Sequence, residues 1–286
     1  MATATTLAEG IYFGEAPRWH DGKLWFSDFY AHAVKTLTED GKMESVLTVP
    51  NQPSGLGWLP DGRLLVVSMT DRKLMRLDPA GLVEHADLNG VAAFHCNDMV
   101  VDAEGRAYVG NFGFDLEAFT ASGGGGAPPP KAKLARVDPD GSVHVAAEEL
   151  NFPNGSVITP DGRTLIVAET MGRCLTAFDI AADGALSNRR VWASTGSALP
   201  DGICLDAEGA IWIANPRAPE CLRIREGGEV LDRIETSQPT FACMLGGADG
   251  KTLFIPTAPG SGSAAEAAAL GKIEVARVAV AGAGLP

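Results

Sequence analysis

No stretch of this 286-residue chain approaches the ~20 consecutive apolar residues of a membrane-spanning helix. The opening Met1-Ala-Thr-Ala-Thr-Thr has no basic segment leading into an apolar one, so no secretory signal is expected and a cytoplasmic protein is. Positive charge is scarce as well. Lys and Arg number 23 against 36 Asp and Glu, a formal net charge of −13, which argues against sequence-independent nucleic-acid binding and against an anionic membrane surface as partner. Cysteine is thin: Cys96, Cys174, Cys204, Cys221 and Cys243 are odd in number, scattered, and form no CxxC pair. They suggest buried apolar thiols rather than a disulfide framework or a thiolate zinc site. HExxH, GxSxG and Walker signatures are all missing, which removes zincin, serine-hydrolase and nucleotide-binding readings. The run Gly123–Gly126 is no phosphate loop, because neither Lys-Ser/Thr nor a helix pattern follows it.

Glycine, by contrast, is abundant. Its 34 copies are about 12% of the chain against a usual ~7%, and many sit in acidic pairs, with Asp-Gly eight times and Glu-Gly four times. Such pairs between apolar runs mark hairpin turns, since glycine supplies the positive φ these turns need.

Six of the pairs belong to a repeat. Segments beginning at Glu15, Ser54, Asn97, Asn154, Asp201 and Ala242 share an apolar stretch, an acidic-Gly turn and a second apolar stretch. The turn glycines Gly22, Gly62, Gly105, Gly162, Gly209 and Gly250 are spaced 40, 43, 57, 47 and 41 residues apart. A period in the forties, with room for four strands per unit, predicts an all-β six-bladed β-propeller of four-stranded blades. The last unit lacks a strand, so the N-terminal segment is expected to complete the sixth blade, and residues 1–286 to form one propeller domain.

The 57-residue interval holds Thr120-Ala-Ser followed by four Gly, Ala127, three Pro and Lys131-Ala-Lys, with no hydrophobic periodicity. It predicts a loop. It follows a second strand, on the face where the first strands begin, so residues 112–133 are expected to be lid-like, with Phe112 and Phe114.

In a propeller the first strand of each blade lines the axis, so Glu15, Ser54, Asn97, Asn154, Asp201 and Ala242 should form a ring. Four of them carry hard oxygen donors. Two carboxylates and two amides facing one point call for a cation or ordered water among them, and the two negative charges match a divalent ion: calcium first, with magnesium or manganese suited too and zinc not excluded. His95, Asp115 and Arg217, on the surrounding loops, are candidate substrate contacts.

At these residues the chain resembles the gluconolactonase and regucalcin (senescence-marker-protein) family. The likeness runs from Glu15-Ala-Pro through Asn97-Asp98, Phe152-Pro-Asn-Gly and Leu199-Pro-Asp-Gly to the closing Gly282-Ala-Gly-Leu-Pro. The resemblance implies a six-bladed propeller with one divalent ion at the axis, and most members open sugar lactones. It implies Glu15, Asn154 and Asp201 as metal ligands, Asn97 at the ion or the substrate beside it, and Asp201 as general base. Many members carry Arg two residues before the motif Asn, whereas this chain has His95. With Phe112 and Phe114 this suggests a mouth more apolar than a polyhydroxylated ligand requires, and a less polar lactone as substrate.

The leading expectation is therefore metal-assisted lactone hydrolysis, gluconolactone-like, in which Asp201 activates water and His95 positions the substrate. The alternatives are phosphotriester or aryl-ester hydrolysis at the same site, and a non-catalytic calcium-binding or interaction propeller.

Overall fold

All six turn glycines adopt positive φ, from 69° at Gly250 to 85° at Gly62, and each closes the innermost hairpin of a blade. The computed structural model of the chain describes residues 2–123 and 127–283. Gly124, Gly125 and Gly126 of the glycine run and Gly284-Leu285-Pro286 of the closing motif lie outside the described residues.

The sheets are antiparallel meanders in chain order, six blades of four strands. Their inner strands are Gly14–His20, Pro53–Trp58, Cys96–Val101, Pro153–Ile158, Ile203–Leu205 and Met244–Gly246. Each packs against the inner strands before and after it, and the sixth returns to the first, which closes the ring. Thr5–Ile11 pairs antiparallel with Gly271–Arg277 as the outer strand of blade six. The expected N-terminal closure is thus present, with an addition: Ala2–Thr3 continues into blade five, parallel to its outer strand. The N-terminus therefore ties two blades together.

Apolar clusters fill the space between neighbouring blades, for example Leu65, Val67, Met99 and Val109 between blades two and three. This is the reason the second strands read as near-continuous Leu, Val and Ile: both of their faces are covered. Adjacent inner strands approach so closely that some positions accept only glycine. A Cβ on Gly55 would stand 2.6 Å from Met99 N, one on Gly155 2.6 Å from Ile203 N, and one on Gly202 2.5 Å from Ala242 Cβ. These glycines directly follow Ser54, Asn154 and Asp201, so the ring positions are drawn inward by their neighbours.

Two short helices depart from the β pattern. Helix α1, Leu116–Ala121, stands where the sequence suggests only loop, and α2, Ser263–Ala267, follows the second strand of blade six. Six and five residues are too few to show a helical period.

Candidate metal and active site

The ladder between first and second strands breaks at the same place in four blades. Register shifts fall between Glu15 and Arg18, Pro53 and Leu56, Cys96 and Met99, and Pro153 and Ser156, each inserting one extra residue on the inner strand. Such bulges release a side chain from regular alternation and re-aim it. Glu15, Ser54, Asn97 and Asn154 stand at these breaks, and Asp201 sits just before the short inner strand of blade five. In blade one the bulge places Ala16 at φ 46°, and its N–H donates to Glu15 Oε2 at 3.1 Å, which fixes the carboxylate.

All four oxygen-bearing ring side chains are buried: Glu15, Asn97, Asn154 and Asp201. Burial pushes Glu15 well above the ordinary carboxylate range, and the charges of Asp201 and Asp98 add to the effect, against Ala16 N–H and Arg18. Asp201 is pushed up to about 8, chiefly by burial; the Asn154 amide beside it pulls the other way, and Asp98 again raises it.

Two residues that the sequence reading did not assign complete the charge pattern. Arg18 crosses the channel: its Nη2 donates to Asp98 Oδ1 at 2.6 Å and to Met99 O at 2.5 Å, its Nε to Leu56 O at 3.1 Å, and its Nη1 to Pro17 O at 2.8 Å. Every arm of the guanidinium is spent on blades one to three. Three buried carboxylates, Glu15, Asp98 and Asp201, thus face one committed cation. The shortfall is two positive charges, the charge of a divalent cation, and buried like charges without compensation are costly.

The amides fit the same occupant. Asn154 Nδ2 donates to Thr170 Oγ1 at 3.1 Å, and Thr170 in turn donates to Pro200 O at 2.8 Å, next to Asp201. Asn154 Oδ1 is left as the atom free for a cation. Asn97 Nδ2 and Ser54 Oγ are buried and have no hydrogen-bond partner, which marks a site completed by a ligand. Among the described residues no three His, Cys, Asp or Glu gather into a metal-binding group; the oxygens available at the ring belong to two carboxylates and two amides. Oxygen-only donors suit a hard cation.

Above the ring the wall is aromatic. Phe13, Phe29, Tyr30 and Phe241 form one group, with Phe13 and Phe241 centroids 4.6 Å apart. Phe94, His95, Phe112, Phe114 and Phe152 form the other, with Phe112 and Phe152 at 4.8 Å. Phe112 also packs against the buried cluster that contains Phe13, Phe29, Met69 and Phe241. His95 is half-buried and stacks on Phe94 at 4.2 Å. Burial lowers its pKa, against the pull of Asp115 and Glu117, so it is neutral at pH 7. Asp115 is the N-cap of α1 and accepts from Ala118 N at 2.9 Å, so its carboxylate is engaged in shaping the loop. Arg217 is exposed and is anchored through its backbone N–H to Asn215 Oδ1 at 3.2 Å. The structure brings Glu15, Asn97, Asn154 and Asp201 to the axis and His95, Phe112 and Phe114 to the wall. Asp115 and Arg217 stay at the outside of the mouth.

The loops of blades three and six meet across this mouth. A side chain on Gly262, the N-cap of α2, would stand 3.2 Å from Glu117 Oε1 of α1. Gly262 N donates to Tyr30 Oη at 2.9 Å, and Ala265 of α2 belongs to the same buried cluster as Phe13, Phe29 and Phe241. Blades three and six lie opposite one another in a ring of six, so the two helices bridge over the axis. Aligning the residues two before each ring position (Phe13, Gln52, His95, Phe152, Leu199, Thr240) would have exposed the apolar wall in the sequence; the bridge leaves no such signal.

A cleft of about 470 Å³ opens on the opposite, turn-side face, lined by Pro160, Trp192, Asp206 and Glu226 among others. Its buried acid, Asp206, is spent on Arg223 Nε at 2.6 Å and on two turn amides.

The sequence model of one protein family, described as the SMP-30/Gluconolactonase/LRE-like region, matches residues 13–259. A 6-deoxy-6-sulfogluconolactonase from Pseudomonas putida is 29% identical over 265 residues, covering 89% of this chain and 86% of that protein. A gluconolactonase structure from Xanthomonas campestris superposes with a TM-score of 0.73 at 25% identity, over 98% of this chain and 89% of the other. A calcium-binding protein, regucalcin, from Agrobacterium tumefaciens gives 0.78 at 21% identity, over 99% and 97%.

Proposed function

The chain belongs to the SMP-30/gluconolactonase/LRE-like family, and from that membership we propose that it is a divalent-metal-dependent lactonase. The observation that carries the reading is the shortfall of two positive charges among Glu15, Asp98, Asp201 and Arg18 beside two unpartnered donors, Asn97 Nδ2 and Ser54 Oγ. Lactonase relatives supply the reaction class, and the name of the calcium-binding neighbour favours calcium over zinc, manganese or magnesium.

Glu15, Asn154 and Asp201 hold the ion, with Asn97 beside them. A divalent cation there supplies Lewis-acid polarisation of an ester carbonyl. Asp201 accepts a proton from the attacking water as its oxygen bonds to the carbonyl carbon. The ring C–O bond then breaks, and that proton passes to the departing alkoxide, giving the open hydroxy acid. Asn97 Nδ2 donates to a substrate oxygen, and its otherwise unmet hydrogen bond is made only with substrate present. His95, neutral and stacked, orients the ring. The described part of the loop at 112–133, with α1 against α2, acts as a lid that excludes bulk water during the reaction.

Ring opening releases acid and is followed in a weakly buffered indicator solution, with calcium, with EDTA, and after restoring calcium, zinc, manganese or magnesium. The reading expects turnover that EDTA removes and one of these ions restores. Cleavage of aryl esters or phosphotriesters with lactones untouched assigns the site to that reaction instead. Silence on every substrate with ion bound makes the propeller a binding protein.

A further inference from the structure

We infer that this site selects lactones with an apolar, hydroxyl-poor body rather than sugar lactones; the inference rests on the lactonase reading above. A sugar lactone presents a hydroxyl on nearly every ring carbon, and each one buried without a partner is penalised. The wall offers few partners. One and two residues above the ring stand Phe13, Phe152, Leu199 and Phe241, all buried. Phe112 packs on Phe152 and against the buried cluster that contains Phe13 and Phe241.

Of the polar groups at that level Thr240 is committed, while Gln52, His95 and Tyr30 keep hydrogen-bonding capacity, set singly among the apolar side chains. Thr240 Oγ1 donates to Glu220 O at 2.6 Å and accepts from Asn215 N at 2.7 Å, and Tyr30 Oη accepts from Gly262 N. His95 is stacked on one face by Phe94 and presents its two ring nitrogens along the ring edge. The unpartnered donors, Asn97 Nδ2 and Ser54 Oγ, lie lower, at the ring. Unpartnered polarity is therefore greatest at the ring, where an ester group would sit, and much of the wall above it is aromatic. This division suits a lactone with one polar end and an alkyl or aryl remainder, since aromatic walls recognise flat or aliphatic bodies by area and edge-to-face contact.

The test compares three six-membered lactones on the calcium-loaded protein: δ-octanolactone, dihydrocoumarin and glucono-δ-lactone. The Michaelis constant is the readout, because it separates recognition from the differing intrinsic reactivity of the rings. The expected result is a constant at least about tenfold lower for both hydroxyl-poor lactones. Phe112→Asn should raise their constants about tenfold without raising that for glucono-δ-lactone. His95→Arg, which adds donors to the wall, should narrow the gap independently. Equal or tighter recognition of glucono-δ-lactone by the wild type overturns this substrate class and leaves the lactonase reading standing. A preference that neither substitution moves, in variants that melt like the wild type, overturns the assignment to this wall. Failure to open any of the three with ion bound removes both readings together.

Discussion

Asn154 donates through Nδ2 to Thr170 Oγ1 at 3.1 Å, and that bond determines which end of the Asn154 amide remains for a ligand. The hydroxyl proton of Thr170 goes to Pro200 O, a group that can only accept, so Thr170 must receive from Asn154 rather than donate to it. Asn154 Oδ1 is freed as a consequence. Thr170→Val keeps the shape of the side chain and removes the relay. Calorimetric titration of the metal-free variant with calcium should show affinity lower by about 10- to 100-fold, as expected when a partner that orients a ligand is lost. Thr170→Ser should restore it. Equal affinity in the Val variant would mean that the relay does not set the amide.

Asp201→Asn exchanges the proton acceptor for an amide of the same shape. In the metal-free chain burial keeps Asp201 protonated near neutrality, and a cation bound beside it favours the carboxylate that a base must present. The variant should fold, since an uncharged group relieves the repulsion from Asp98 and Glu15. It should lose turnover by about 100-fold or more. Near wild-type rates in stopped-flow indicator assays would remove Asp201 from the role of base.

Glu15 and Asp201 also link stability to pH. Both are raised in the folded, metal-free chain, so over the interval above an ordinary carboxylate pKa of about 4 the native state binds more protons than the unfolded one. Stability from this source is fully present below that value and is lost as pH rises through the folded values, about 8 for Asp201. In EDTA the melting temperature should therefore fall between about pH 5 and about pH 8. Asp201→Asn should flatten the slope, and saturating calcium should stabilise most at the alkaline end. A melting temperature that climbs across the interval in EDTA, or one with the same slope in the variant, would contradict the linkage.

Arg18 and Asp98 form a buried pair 2.6 Å apart that joins blades one and three. Arg18→Met leaves Asp98 in the channel without its cation, which should destabilise the chain by about 3–5 kcal/mol in denaturant titrations. Arg18→Met with Asp98→Asn should recover part of the loss. If the single variant unfolds at the wild-type midpoint, the pair does not brace the channel.

Much of the fold could be read from local chemistry. The six turn glycines obey a backbone rule that needs no tertiary context, and counting back seven or eight residues from them reaches Glu15, Asn97, Asn154 and Asp201, because the inner hairpins are of nearly equal length. The N-terminal closure followed from a missing strand. Arg18 was not legible, because a charged residue within an apolar strand looks the same in sequence whether it faces solvent or crosses a channel. The aromatic wall draws on residues from Phe13 to Phe241, whose proximity comes only from ring closure. Helix α1 is a single capped stretch inside a loop, and its meeting with α2 depends on blades three and six lying opposite one another.

The most direct test of the account is a calcium titration of EDTA-stripped protein that follows bound ion and lactone opening in the same samples. The account predicts no turnover in the stripped protein, activity rising in proportion to bound ion, and both reaching a plateau at one ion per chain. Undiminished lactone opening by stripped protein, or a plateau reached with no ion bound at the Glu15, Asn154 and Asp201 site, would contradict it.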